Sequence, residues 1–259
     1  MYSEIERKFT RLRVELRKEG LDICEDVFRR FLPSNIVKKP EICVFCNSTS
    51  KNTKEHVLPK WLFEKDTDVS FISSVNRQIQ TFNKAVIPTC ANCNNSILAY
   101  IEKYTIQVIE KLVSAEKHYV EDLCHIIRWL EILDYKLQVY DCRRIYLKHD
   151  KSEYDKEFGI VPISLMRHFI EFTPYKAYDF LRSTQIMMTV KKKMDRINSL
   201  VIFDITQPNF DFFTQPNEYI FVSLPNAKIG FFYFFKENYT NTKDAYEDAI
   251  KIMKQVFET

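Results

Sequence analysis

A chain of 259 residues, 46% hydrophobic and 28% charged, is long enough for one large domain or two smaller ones and has the make-up of a globular protein. Its only glycines are Gly20, Gly159 and Gly230; three isolated glycines cannot build a phosphate loop or a dinucleotide fingerprint, which argues against nucleotide-driven and Rossmann-type chemistry. The net charge of +3 arises in the first 40 residues, where ten basic side chains meet seven acidic ones. That surplus is weak for a dedicated nucleic-acid binder, so any contact with a polyanion must be local or shared with a partner.

Ile5, Phe9, Leu12 and Leu16 recur at helical spacing and predict a helix over residues 2–19. Glu4, Arg7, Arg11, Glu15 and Lys18 line a neighbouring strip, read as a solvated, ion-paired face with a DNA- or partner-contacting arm as the sharper alternative. A second short helix is expected over 21–31. A linker follows in "LPSNIVKKPE", which Pro33 and Pro40 interrupt. Residues 41–102 are irregular, with short β-like pieces in "FISSV" and "KAVIP". From about Asn95 a helical pattern runs, with breaks, to about Leu147. Its first buried face is Ile97, Leu98, Ile101, Tyr104 and Val108, and a later one is Ile126, Ile127, Leu130, Leu133 and Leu137. Residues 163–182 read as helix. "SLVIFDI", "EYIFVSL" and "IGFFYFF" read as strands, the last two joined by a hairpin turn at "PNAK", and residues 242–258 close as an amphipathic helix. The charge run "KKKMDR" at 191–196 is expected to be solvated.

Seven cysteines, an odd number, include two CxxC pairs: Cys43 with Cys46 and Cys90 with Cys93. Two such knuckles complete a tetrahedral zinc shell of four thiolates, a closed structural site. Cys24, Cys124 and Cys142 fall in helix-like segments and are expected in the core. This usage fits a reducing compartment, and no apolar run approaches the roughly 20 residues that span a bilayer. With a charged N-terminal stretch that does not read as a signal peptide, the expected location is the cytoplasm, away from membranes. The 43 residues between the pairs exceed a simple zinc ribbon, so the clipped loop must carry something. It carries "KNTKEHVLPKWL", with Glu55 and His56 side by side.

CxxC, then Glu-His followed by a proline, then CxxC-Asn leading into a helix, resembles the zinc-bound HNH endonucleases over residues 43 to about 102. "EHVLPKWL" with "CANCNNSILAYIE" is also similar to compact members found in bacterial phage-defence systems such as Septu, some of which act beside an ATPase subunit. The resemblance implies a ββα-metal fold around one catalytic divalent ion. It implies His56 as general base at the end of the first strand, with Glu55 and Asn94 as oxygen ligands of Mg2+ or Mn2+. A neutral imidazole suits proton abstraction near pH 7, and hard oxygen ligands suit these ions. Strand alternation sends residues 55 and 56 to opposite faces unless the strand ends or twists there, which leaves open a supporting role for Glu55. The family's central Asn has Asn83 and Asn76 as candidates. Glu102 lies eight residues past Asn94, roughly 12 Å along a helix, and is expected not to share the ion.

The expected architecture is therefore α+β. A helical arm (1–40) leads into an HNH module (41–104), followed by a helix-rich region with a small antiparallel sheet (105–259). The expected function is metal-dependent endonucleolytic cleavage, DNA being the expected substrate, in defence against foreign DNA. An RNase has the same active-site chemistry. The rival is a non-catalytic zinc module for nucleic-acid binding or complex assembly, which has no need of Glu55, His56 and Asn94.

Overall fold

The computed structural model describes residues 2–28, 41–50, 52–63, 70–72, 79–81, 84–114, 119–146, 174–191, 193–208 and 210–257. Residues 32–40 of the expected linker, the candidates Asn76 and Asn83, and residues 163–173 lie outside them.

The first apolar stripe builds helix α1 (Tyr2–Phe28), with Ile5, Phe9, Leu12 and Leu16 buried as the spacing requires. The stripe continues through Ile23 and Val27, so α1 is one helix and not two. Gly20 does not interrupt it, because its bare backbone faces helix α4 (Pro174–Thr189). A Cβ there would stand 2.6 Å from the Arg182 guanidinium and 2.9 Å from the Gln185 amide.

Strand β1 (Asn52–His56) pairs antiparallel with β4 (Val86–Cys90), Asn52 opposite Cys90 and His56 opposite Val86. Between them lie β2 (Ser70–Ile72) and β3 (Ile79–Thr81), paired with each other. β4 runs directly into a π-helical turn (Asn92–Leu98) and then α2 (Ala99–Val113). After a short break comes α3 (Val120–Tyr146). The alternating face expected of this helix is only part of its burial: every residue from Trp129 to Cys142 is buried. A helix buried all round belongs in the centre of a core, but α3 brings polar groups with it, including Glu131, Asp134, Lys136 and Gln138. Each of these must find a partner or cost several kcal/mol, roughly.

The three expected strand runs become β5 (Leu200–Asp204), β7 (Tyr219–Leu224) and β8 (Ile229–Phe234). A fourth strand, β6 (Phe212–Gln215), completes an antiparallel sheet of order β5-β8-β7-β6. The runs read as continuously apolar because both faces are covered. Ile220, Val222, Phe231 and Tyr233 join the main core. Phe221, Phe232 and Phe234 point the other way, onto Ala245 and Ala249 of α5 (Thr242–Phe257). The hairpin turn forms where expected: Pro225–Ala227 make a single tight turn and Lys228 takes φ 52° to re-enter β8.

The charge run at 191–196 is not simply solvated. Lys193 is 3% exposed and pairs with Glu131 at 2.5 Å. Arg196 donates to the carbonyls of Phe234 (2.9 Å) and Glu237 (3.1 Å), tying the start of β5 to the end of β8. One continuous core takes buried residues from the arm, the loop region and the helix-rich region alike. Among the described residues, no helix is long and apolar enough to cross a membrane.

Candidate metal centre and its surroundings

The first knuckle is a tight turn in which the Asn47 amide donates to the Cys43 carbonyl at 2.9 Å and the Cys43 amide to Ser48 at 2.9 Å. Asn47 closes it at φ 58°, a left-handed conformation that Asn tolerates better than other non-glycine residues. The Val44 amide bonds the Pro88 carbonyl at 3.1 Å, which lays this knuckle against β4. The Tyr135 hydroxyl caps the Val44 carbonyl from α3 at 2.5 Å. The second knuckle is the end of β4 itself, where the Cys93 amide donates to the Cys90 sulfur at 3.4 Å.

All four sulfurs lie within 4.8 Å of one another, and Cys46 and Cys90 are 3.7 Å apart. A tetrahedron of sulfurs with Zn–S bonds of 2.3 Å has an edge of about 3.8 Å. The donor set therefore fits a structural metal such as zinc. Sulfur hydrogen bonds from Cys46 and Cys93 pull the Cys43 thiol below its usual range, against the burial that opposes them. Among the described residues, this is the one cluster of three or more Cys, His, Asp or Glu side chains placed to hold a metal. Cys24, Cys124 and Cys142 are buried with free thiols, as expected of core cysteines.

Twelve residues after the first cysteine, Glu55 and His56 occupy the end of β1, opposite Ile87 and Val86. Their side chains part as strand alternation requires. Glu55 is 8% exposed and forms an ion pair with Lys136 of α3. His56 is half-buried. Burial lowers its pKa first, the nearby Lys60 ammonium adds to that, and Glu55 opposes them. The net effect keeps the imidazole neutral, the form a general base needs.

Asn94 sits in the π-helical turn that starts the helix, an irregularity often found at functional sites. Its amide nitrogen donates to Thr53 Oγ1 at 2.8 Å, and Thr53 in turn donates to the Thr89 carbonyl at 2.7 Å. Thr53 is two residues from Glu55, so both leave β1 on one face. The structure thus draws Asn94 to the Glu55 side of the strand. His56 leaves from the other side, at the strand's end.

Two residues around this site extend the sequence reading. Glu102, expected not to share the ion and to act at most as a supporting acid, has its Oε1 3.3 Å from the same Lys136 ammonium. Burial raises its carboxyl pKa, with Lys136 working against that. The rise along α2 separates Glu102 from Asn94, but Lys136 reaches across from α3 to gather it with Glu55. Lys136 itself belongs to no motif. The signal was present only as one lysine amid "ILDYKLQVY", a stretch otherwise dominated by core residues. Burial would lower the Lys136 ammonium, but the Glu102 and Glu55 carboxylates override it and hold it above its usual value.

Beyond His56, a short turn (Lys60–Leu62) places Trp61 against Trp129 of α3, ring centroids 5.6 Å apart. Trp61 also lines an open groove of about 680 Å³ with Ile106, Ile109, Val113 and Leu224. These walls suit a hydrophobic group better than a phosphate backbone. No family model, curated protein or solved structure matches the chain.

Proposed function

We propose that this chain is a metal-dependent endonuclease of the HNH type that hydrolyses phosphodiester bonds in nucleic acid, with DNA as the substrate. One observation carries the reading. An antiparallel strand pair runs into a helix across a four-cysteine clip, with Glu55-His56 ending the first strand and Asn94 opening the helix, tied back to that strand. A purely structural zinc clip has no use for an acid, a neutral imidazole and an amide placed in this way.

His56 accepts the proton of the attacking water, and its depressed pKa keeps it ready to do so near pH 7. Glu55 and Asn94 would hold a Mg2+ or Mn2+ ion, their oxygens being the hard donors such ions prefer. When bound, that ion supplies positive charge to the non-bridging and leaving oxygens. Asn94 uses its amide nitrogen on Thr53, which leaves its carbonyl oxygen for this task. The cysteines hold the frame and take no part in the chemistry. A function in defence against foreign DNA, beside a partner such as an ATPase subunit, belongs to the same proposal. It is supported by the sequence pattern and by a charge surplus too small to grip DNA unaided.

The test is cleavage of supercoiled plasmid, with RNA in parallel, by purified protein with and without Mg2+ or Mn2+. His56→Ala should leave zinc content and melting temperature unchanged and reduce the rate roughly 10²–10⁴-fold, the typical cost of losing a general base. Added metal should not restore it. Asn94→Ala should lose activity that higher Mn2+ partly recovers. A His56→Ala protein that cuts as well as the parent would end the HNH mechanism for this chain. One observation favours the second reading, a non-catalytic zinc module: Glu55 is already paired with Lys136. That reading expects no metal-dependent cleavage at all.

A further inference from the structure

We propose that Lys136 is a positioning residue of this centre, whose ammonium clamps the Glu55–His56 step of β1. Its functional consequence rests on the nuclease reading; the clamp itself can be measured without any activity.

An ammonium has three protons to donate, and Lys136 has three oxygens to receive them. They are Glu55 Oε1, the His56 carbonyl at 3.2 Å and Glu102 Oε1 at 3.3 Å. The cation comes from α3, two of the oxygens from the end of β1 and the third from α2. Lys136 is 1% exposed. Burying an ammonium is costly even when it is paired, and an apolar side chain of similar volume would fill the same space in the core. What such a replacement could not do is hold these oxygens together.

Two of the three oxygens belong to neighbouring residues that a regular strand sends to opposite faces. Lys136 grips the side chain of Glu55 and the backbone of His56, so it fixes the peptide step between them. That step sets the direction in which the imidazole leaves the strand, just before Val57 returns to the Ala85 carbonyl at 2.9 Å. A general base must be held within roughly 0.5 Å of its working position, and a displacement of about 1 Å can cost roughly 10²-fold in rate. The lysine thus fixes the peptide step between an adjacent acid and base. It acts through Glu55 and His56 and touches no substrate.

The experiment uses the full, zinc-loaded chain with Lys136→Met, Lys136→Arg and the charge-balanced pair Lys136→Met/Glu102→Gln. Amide hydrogen exchange is read at Val57 and, as internal reference, at Asn47 in the first knuckle. Plasmid cleavage is read as separate kcat and KM. In Lys136→Met, or in the double variant if the single one does not fold, Val57 exchange should accelerate at least about tenfold while Asn47 stays as in the parent. The kcat should fall roughly 10²-fold at unchanged KM, and Lys136→Arg, which keeps a cation for Glu55, should recover part of both.

Unchanged Val57 exchange overturns the clamp, whatever happens to kcat. Faster exchange with unchanged kcat overturns the positioning role. In either case a dead His56→Ala variant leaves the nuclease reading standing. Conversely, a parent chain that never cleaves removes the nuclease reading, while local acceleration at Val57 still establishes the clamp. If none of the variants folds with zinc bound, Lys136 is a structural element only and the proposal falls.

Discussion

Take away the metal from the four-cysteine cluster and the loss can be estimated from the loop it closes. Between Cys46 and Cys90 lie 43 residues. A cross-link over a loop of that length removes chain entropy from the unfolded state worth about 4 kcal/mol at 25 °C. For a chain of this size, about 1 kcal/mol corresponds to roughly 2–4 °C in melting temperature, so a fall of roughly 8–16 °C is expected. The β1–β4 ladder, the Val44–Pro88 hydrogen bond and the Tyr135 cap all remain, so the chain should loosen and melt early instead of failing to fold at once. Metal analysis of the purified protein should find about one zinc per chain. Calorimetry before and after chelation, with Cys90→Ser alongside, measures the shift. A demonstrably metal-free protein that melts within about 2 °C of the parent would refute the reasoning, because the closed loop would then contribute nothing that the ladder does not already supply.

His125 tests the core. Burial, with Arg128 adding to it, pushes its pKa down to about 3, and its Nδ1 has no partner. The unfolded chain takes up a proton near pH 6.5 that the fold refuses, so this contribution is full above pH 6.5 and is lost as pH falls toward 3, by about 1.4 kcal/mol per unit. His125→Phe keeps an aromatic ring against Phe9 and Tyr104 and should lose about 2 kcal/mol less than the parent between pH 7 and 5 in urea melts; parallel pH profiles would contradict this. Lys193→Met leaves Glu131 buried without its cation and should cost about 3–5 kcal/mol. Adding Glu131→Leu should return most of it, and equal losses in the single and double variants would show that the pair is not what matters.

Elements with a strong local pattern were legible in the residues. The α1 stripe and the C-terminal helix appear where 3.6-residue spacing places them, and the two β-runs around "PNAK" where continuous apolar runs and the turn between them place them. The cysteine clip was legible because thiolate chemistry demands its spacing. What escaped was decided by tertiary neighbours. Gly20 reads as a helix end but is accommodated by the approach of α4. β6 is a four-residue edge strand between Pro208 and Pro216, too short to announce itself. Lys193 and Arg196 read as a solvated charge run because nothing local reveals Glu131 or the carbonyls of β8. The same holds at the candidate site. Glu55, His56 and Asn94 come from a local pattern, whereas Lys136 is 80 residues beyond His56 in the chain and shares no pattern with it.

The helix that carries Lys136 explains why these long-range pairs exist. From α3, His125 meets Thr105 of α2 and Glu131 meets Lys193 ahead of β5. Asp134 and Gln138 converge on Thr184 of α4, and Gln138 also reaches Asn217 in the turn before β7. Tyr135 reaches the first cysteine knuckle, and Arg143 reaches Asp26 of α1 together with Glu41. Consecutive positions on a helix point about 100° apart, so polar residues spread along α3 address different neighbours, while Asp134 and Gln138, four apart, share one. Apolar replacements would pack as well and cost less to bury, but they would accept any partner, whereas a buried polar group accepts only the one that satisfies it. On this hypothesis α3 sets which surfaces meet, and in doing so it carries a cation into the strand that ends in Glu55 and His56. The candidate centre is therefore a composite. Its acid, base and amide come from residues 41–104, but the group that holds the acid and the strand end lies outside that segment, so a fragment cut at its boundary would keep the motif and lose the clamp.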